Sequence, residues 1–204
     1  MPPENLGQNN IPVAPKKSSS SEFWKFLAVV IFVIIPIRLW VAEPFIVSGD
    51  SMYPTFQNHD YLIIDSLSYK LEHPERFDVV VFKYPLDTSR YFIKRIIGLP
   101  GETVTIHNRV ITITNAQNPD GFIINKPDLD VDTQGEITTT LGSDEFYVLG
   151  DNRPVSSDSR IWGALKEEFI IGRPLIRLFP FKEIDISPGK VADDGQTGQI
   201  PKNQ

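Results

Sequence analysis

Residues 91–98, Tyr91-Phe92-Ile93-Lys94-Arg95-Ile96-Ile97-Gly98, decide how this chain folds. Aromatic and β-branched residues fill the run, the types that suit a pleated, half-buried surface. Pro100-Gly101 follows closely and punctuates it. Two cations stand side by side inside it. Successive side chains of a strand point to opposite faces, so Lys94 and Arg95 lie on opposite sides. A lysine in such a run is either a solvated outward residue or an amine in a dry pocket. In the second case burial disfavours its charged form and lowers its pKa.

Similar short runs flank it on both sides. Upstream are Pro44–Val47, Tyr61–Asp65 and Arg76–Tyr84. Downstream are Thr103–Ile106, then Val110–Thr114 after a turn at Asn108-Arg109, then Glu145–Leu149, Phe169–Arg173 and Leu175–Phe179. Turn residues separate them, which predicts a mainly β protein built on an antiparallel sheet. Residues 105–143 are more polar and predict a smaller inserted β lobe. Within them Asp128-Leu129-Asp130-Val131-Asp132 has the opening of a calcium loop but not its sixth-position Gly or twelfth-position Glu, and is not read as one.

The chain has 204 residues, enough for one core with an inserted lobe. A net charge of −6 argues against general nucleic-acid binding. With no Cys, a thiol nucleophile, a disulfide framework and a Cys-ligated zinc site are excluded.

Residues 1–22 are polar, with Lys16-Lys17 and a serine run, and read as a disordered cytoplasmic tail. Residues 23–42, FWKFLAVVIFVIIPIRLWVA, carry Arg38 as the sole charge after Lys25. From Phe26 to Ala42 a helix would rise roughly 26 Å, close to the bilayer's hydrocarbon thickness. Trp24 and Trp40 sit where interfacial aromatics sit, and the bulky Trp40 spoils a small-x-small cleavage pattern. The stretch is read as an uncleaved single-pass anchor. Lys16, Lys17 and Lys25 before it place the N-terminus in the cytoplasm and the rest outside. Residues 43–183 form the folded extracytoplasmic domain, and 184–204 read as a flexible tail.

Just beyond the anchor lies Val47-Ser48-Gly49-Asp50-Ser51-Met52-Tyr53-Pro54-Thr55-Phe56. Gly and Pro around a Ser suit a plain surface turn, or a stiff turn presenting a nucleophile. If Ser51 is a nucleophile it needs a base. His59, His73 and His107 lie in no triad pattern, and no G-x-S-x-G, H-E-x-x-H or S-x-x-K is present. Lys94, in its apolar strand, is the remaining candidate.

Four segments then fall in order behind the anchor: Ser51-Met52-x-Pro54-Thr55; Arg76-x-Asp78-Val79-Val80; Lys94-Arg95 with Gly98-x-Pro100-Gly101; and Gly150-Asp151-Asn152-Arg153 with Ser156-x-Asp158-Ser159-Arg160-x-Trp162-Gly163. From about residue 24 to 180 the chain closely resembles the bacterial type I signal peptidases, membrane-bound Ser/Lys endopeptidases. The resemblance implies an antiparallel β-sheet catalytic domain in which Ser51 is acylated and Lys94 is its general base. It implies that Ser156 hydrogen-bonds and orients the Lys94 amine, and that Asp158, Arg160 and Arg95 are structural, Asp158 pairing one of the two Arg. The Ser51 N–H would give one oxyanion donor. Some members carry a second donor as a Ser two residues before the nucleophile. Gly49 stands there, leaving its backbone, Ser48 or water as the second donor.

No metal or cofactor is implied. The implied partners are preprotein signal peptides with small residues at −3 and −1, and a lipid bilayer, plasma or thylakoid. A monomer is expected. Shallow pockets for the small residues would draw on Phe45, Ile46, Val47, Met52 and Ile93, with the substrate added as a strand. Two rivals stand beside this reading: a self-cleaving repressor-type Ser/Lys peptidase, disfavoured by the anchor, and an inactive membrane-tethered β binding module.

Overall fold

The computed structural model describes residues 19–34, 42–124, 133–191 and 197–199. The chain divides into two units, residues 1–37 and 38–204. In the first, helix α1 (Ser19–Val29) continues into a π-helical segment, Val30–Ile34. Phe23, Trp24, Phe26 and Phe32 on it are exposed. Among the described residues no helix is long and apolar enough to cross a membrane. The predicted span over 23–42 is followed only to Ile34, since residues 35–41 lie outside the described ones. Ala42, its expected last residue, already opens a strand. The predicted tail lies outside the described residues except for 19–22, which are helical.

The second unit is built of β-strands: β1 (Ala42–Ile46), β2 (Tyr61–Asp65), β3 (Val79–Tyr84), β4 (Asp87–Gly98), β5 (Thr103–His107), β6 (Val110–Thr114), β7 (Phe122–Ile124), β8 (Ile137–Thr140), β9 (Glu145–Leu149), β10 (Leu165–Lys166), β11 (Ile170–Phe179), β12 (Asp185–Ile186) and β13 (Thr197–Gln199). Among the described residues the main sheet runs β1-β2-β11-β3-β4-β9-β10, with β12 paired to β11. The lobe is a second sheet, β13-β7-β6-β5-β8. All pairings are antiparallel.

The unbroken apolar run of β3 has a structural cause. Val79 and Val81 pack on one side with Met52, Phe56, Leu62 and Ile64, while Val80 and Phe82 pack on the other with Ile96, Phe146 and Val148. A strand covered on both faces needs no polar alternation. The flanking strand β4 pairs Val80 with Lys94 and Val79 with Arg95.

Three expectations are corrected. The two closing strands are one strand, β11, which pairs with β3 through Ile170 and Gly172 and with β2 from Arg173 onward. Gly172 allows this, because a Cβ there would lie 2.1 Å from the Asp65 carbonyl oxygen. The lobe is polar on one face only. Val104, Ile106, Ile111 and Ile113 are buried and join a cluster with Phe77, Ile97 and Tyr147, leaving the alternate threonines outside. Asn108 and Arg109, with φ of 49° and 69°, turn β5 into β6 in the left-handed region that two-residue hairpins favour. Asp128–Asp132 lie outside the described residues. Finally, the chain does not fray at 184. β12 pairs with β11, the Gly189 carbonyl accepts from Arg95 at 2.7 Å, and Val191 packs on the lobe core.

Candidate active site

Ser51 stands on a turn that follows β1, and several bonds fix it. Val47 N–H donates to the Asp60 carbonyl at 2.9 Å, and Tyr53 N–H to that of Asp50 at 3.2 Å. Met52 and Phe56, 1% and 0% exposed, anchor the turn in the core. A second segment clamps it from the far end of the chain. Asn152 donates its backbone N–H to the Ser51 carbonyl at 3.0 Å and its side-chain Nδ2 to the Asp50 carbonyl at 3.0 Å.

Lys94 is 3% exposed and reaches this turn from β4. Its Nζ lies 2.7 Å from Ser51 Oγ and 2.9 Å from the Ile93 carbonyl oxygen. Burial pulls the amine down from 10.5 to about 8, against the opposing pull of Asp158 and Asp151. An amine so placed accepts a hydroxyl proton near neutral pH far more readily than a solvated lysine.

Arg95 points the other way, as the strand alternation requires. Its Nη2 and Nε bond the Asp151 carboxylate at 2.6 and 2.8 Å, and Nη1 reaches the Phe77 carbonyl at 2.8 Å. Thr55 Oγ1 donates to the same carboxylate at 2.6 Å. Asp158 pairs with Arg160, at 2.8 Å, and accepts from Gly150 N–H at 3.1 Å. The structure therefore gives each arginine its own carboxylate. Asp158 thus takes Arg160, a choice open in the sequence alone, and Asp151, with no expected role, takes Arg95. Asp151, Asn152 and Thr55 were missed as functional supports. Their only signal was membership in the quoted motifs, because their partners lie far away in sequence.

Three expected roles are not met by this geometry. The Ser156 hydroxyl, expected to hold the Lys94 amine, is buried and makes no hydrogen bond among the described residues. The amine is instead held by Ser51 and Ile93. Ser156 does sit at the site, for a Cβ on Gly150 would lie 2.2 Å from Ser156 Oγ and 2.5 Å from the Ser51 carbonyl oxygen. Gly49, at φ +93°, gives its N–H to Asn58 Oδ1 at 3.0 Å, so this donor is engaged. The Ser51 N–H has no acceptor among the described residues. Met52 faces the core with Phe56 and Leu62 and does not line the cleft.

A cleft of about 510 Å³ opens at Ser51 and Lys94 and runs between Phe45–Asp50 and Arg90–Ile93. Phe45, Ile46, Val47 and Ile93, expected in the substrate pockets, all line it. Leu62 and Val81 form part of its wall. His59, His73 and His107 are all exposed elsewhere. Among the described residues no three His, Asp or Glu converge as metal ligands.

A serine hydroxyl against a buried, pKa-lowered amine beside an apolar cleft defines a site suited to hydrolytic acyl transfer. The family model "Signal peptidase, peptidase S26" matches residues 20–179. A probable signal peptidase I-1 of Synechocystis sp. is 32% identical over 84% of this chain and 88% of its own length. A probable signal peptidase I-2 of the same organism is 33% identical, covering 90% and 82%. A signal peptidase I of Bacillus caldolyticus is 30% identical, covering 82% and 96%. The chain belongs to the peptidase S26 family of signal peptidases and is a serine endopeptidase of the signal peptidase I type.

Proposed function

We propose that Ser51 and Lys94 form the catalytic dyad that removes N-terminal signal peptides from exported preproteins. The 2.7 Å contact between Ser51 Oγ and the buried Lys94 amine carries this reading. Ser51 Oγ attacks the scissile carbonyl while neutral Lys94 takes its proton. The resulting ammonium protonates the departing amine, which leaves as the new N-terminus. Lys94, neutral again, takes a proton from water, and the water oxygen attacks the ester. The signal peptide departs with a free carboxylate as the proton returns to Ser51.

The oxyanion is held by the unengaged Ser51 N–H, and with Gly49 committed to Asn58 the second donor is the hydroxyl of Ser48, a residue that lines the same cleft. Ser156 acts as a neighbour that packs Gly150 against the dyad. The supporting residues Arg95, Asp158 and Arg160 hold the strands and the 150–160 segment in place.

The substrate enters as an added strand. Among the described residues β1 pairs only with β2, and β4 meets β9 only from Arg95 onward. The outer edge of β1 and the first half of β4 therefore flank the cleft with unpaired backbone groups, which an extended peptide satisfies. Small residues at −1 and −3 lie over the apolar wall of Val47, Leu62, Val81 and Ile93. The apolar stretch from residue 23 up to the start of β1 at Ala42 anchors the enzyme as a single pass with the N-terminus cytoplasmic. At most about 30 Å of extended chain separates Ala42 from Ser51, which keeps the dyad near the outer headgroups where a cut site emerges. The enzyme works as a monomer and takes no cofactor.

The test is incubation of the detergent-solubilised protein with a preprotein, followed by sequencing of the new N-terminus. Cleavage after a small-x-small pattern, lost in both Ser51→Ala and Lys94→Ala, is expected. Retained activity in Lys94→Ala would sink the dyad, and no cleavage by the wild type would favour a binding module.

A further inference from the structure

The cleft carries a cation that the dyad does not use. Arg90 lines it at the end remote from Ser51, and its side chain is exposed. Two rings hold its guanidinium, and the nearby Asp87 carboxylate attracts it without closing an ion pair. Its guanidinium lies 5.3 Å from the centroid of Phe92 and 5.8 Å from that of Tyr84, and these two rings stack at 4.5 Å. No ion pair joins Arg90 to a carboxylate among the described residues. A cation stacked over aromatic faces keeps its planar donors free for a ligand.

Strand alternation says which part of a substrate it meets. Tyr91 and Ile93 lie on one face of β4: Tyr91 packs edge-on against Phe45, and Ile93 packs against the core cluster of Val47, Leu62 and Val81. Arg90, Phe92 and Lys94 share the other face, with the Phe92 ring 5.3 Å from both cationic groups. An extended peptide along this edge alternates in the same way. If −1 and −3 point at the apolar wall beside Ile93 and Tyr91, then −2 and −4 point at the face of Phe92 and Arg90. The −4 residue falls level with Arg90.

On the signal-peptide reading above, we infer that Arg90 is a specificity-determining residue that selects an acidic side chain, and rejects a basic one, at position −4 of the signal peptide. The pairing is solvent-accessible, so the discrimination is moderate. Attraction to Glu and repulsion of Lys together give about a fivefold difference in kcat/KM, which corresponds to about 1 kcal/mol, as suits an exposed pair. It weakens as salt shortens the screening length.

The experiment uses the full-length detergent-solubilised enzyme and three preprotein-derived peptides identical but for Glu, Ala or Lys at −4. The wild type is expected to cleave them in the order Glu, Ala, Lys. Arg90→Glu is expected to reverse the Glu-to-Lys ratio, and Arg90→Gln to flatten it. Equal cleavage of all three peptides by the wild type would overturn the inference. So would an Arg90→Glu enzyme that loses activity while keeping the wild-type ratio, since that marks a structural role. Ser51→Ala is run alongside. If it still cleaves, the dyad itself is wrong, an outcome separate from failure of the Arg90 inference.

Discussion

Replacing Lys94 by methionine tests the central claim without reference to any substrate. Methionine keeps much of the stem's volume and deletes the amine. In the folded protein that amine falls from 10.5 to about 8 because burial disfavours its charge. At about 1.4 kcal/mol per pKa unit, this corresponds to roughly 3 kcal/mol of penalty on the folded state when the lysine is charged. The sign follows from proton counting. Below pH 8 the folded and unfolded chains both carry the proton, and the full penalty applies. Between pH 8 and 10.5 the unfolded chain binds more protons than the folded one, so wild-type stability rises with pH. Above 10.5 neither carries it, and the penalty is gone. The Lys94→Met protein never bears the penalty, but it forfeits the contacts to Ser51 Oγ and the Ile93 carbonyl, each contributing about 1 kcal/mol.

Lys94→Met is therefore expected to be about 1 kcal/mol more stable than wild type at pH 7, and, as the difference falls by about 3 kcal/mol between pH 8 and 10.5, about 2 kcal/mol less stable above pH 10.5. Urea unfolding of both detergent-solubilised proteins across pH 6–11 reads this directly. The half-buried Tyr69 and the buried Tyr147, whose pKa values burial also raises, are common to both proteins and cancel in the difference. Parallel stability curves across the whole range would refute the buried-amine argument. The same titration should appear in wild-type kcat/KM, which should climb with pH and level off above about 8, where the free enzyme holds a neutral base.

The clamp opposite the dyad gives further predictions. Gly150→Ala places a methyl within 2.5 Å of the Ser51 carbonyl oxygen and must shift it, so kcat/KM should fall by about 100-fold or more while circular dichroism stays β-rich. Asp151→Asn leaves the fully buried Arg95 without a counter-charge and should cost about 3–5 kcal/mol, read as a lowered unfolding midpoint in urea. An unchanged midpoint would mean that the Phe77 and Gly189 carbonyls suffice for Arg95. Asn152→Ala removes the bond to the Asp50 carbonyl and should reduce kcat about tenfold with little change in KM, since the side chain acts on the nucleophile's turn and not on the cleft wall.

Much of this arrangement was legible in the sequence because its causes are local. Tyr61–Asp65, Val110–Thr114 and Glu145–Leu149 fold as the strands their patterns predict, since β-branched alternation and flanking turns act over a few residues. The proposed dyad was legible because a Lys-Arg pair inside an otherwise apolar strand run is unusual wherever it occurs. Pairings between distant segments were not. Nothing local ties Asp151 to Arg95 and Thr55, or Gly189 to Arg95, because each partner is equally well satisfied by water in the unfolded chain. The docking of residues after 184 was missed for the same reason. Their polar composition reads as a tail, yet a strand pair and one carbonyl hold them. Ser156 and Gly49 show the converse limit. Motif membership placed both at the site, but it could not tell that the amine is held by Ile93, or that Asn58 engages the Gly49 N–H.

The adjacent pair Lys94 and Arg95 joins these two kinds of information. Strand alternation sends one cation to Ser51 and the other into the core behind it. Lys94 alone would be a flexible stem carrying an amine that burial disfavours. Arg95 fixes the strand at that point through Asp151, and Asp151 also binds Thr55 on the turn that carries Ser51. Its neighbour Asn152 then holds the Asp50 and Ser51 carbonyls. Lys94 and Ser51 are thus both referred to one three-residue segment, Gly150 to Asn152, through short bonds, of which those between Arg95 and Asp151 are buried. A disturbance of Arg95 should consequently move the Ser51–Lys94 distance even though Arg95 touches neither group. Arg95→Lys, which keeps the charge and loses the forked donor geometry, should lower kcat more than it lowers thermal stability. Equal losses in both would place the effect in folding alone and remove Arg95 from the positioning of the dyad.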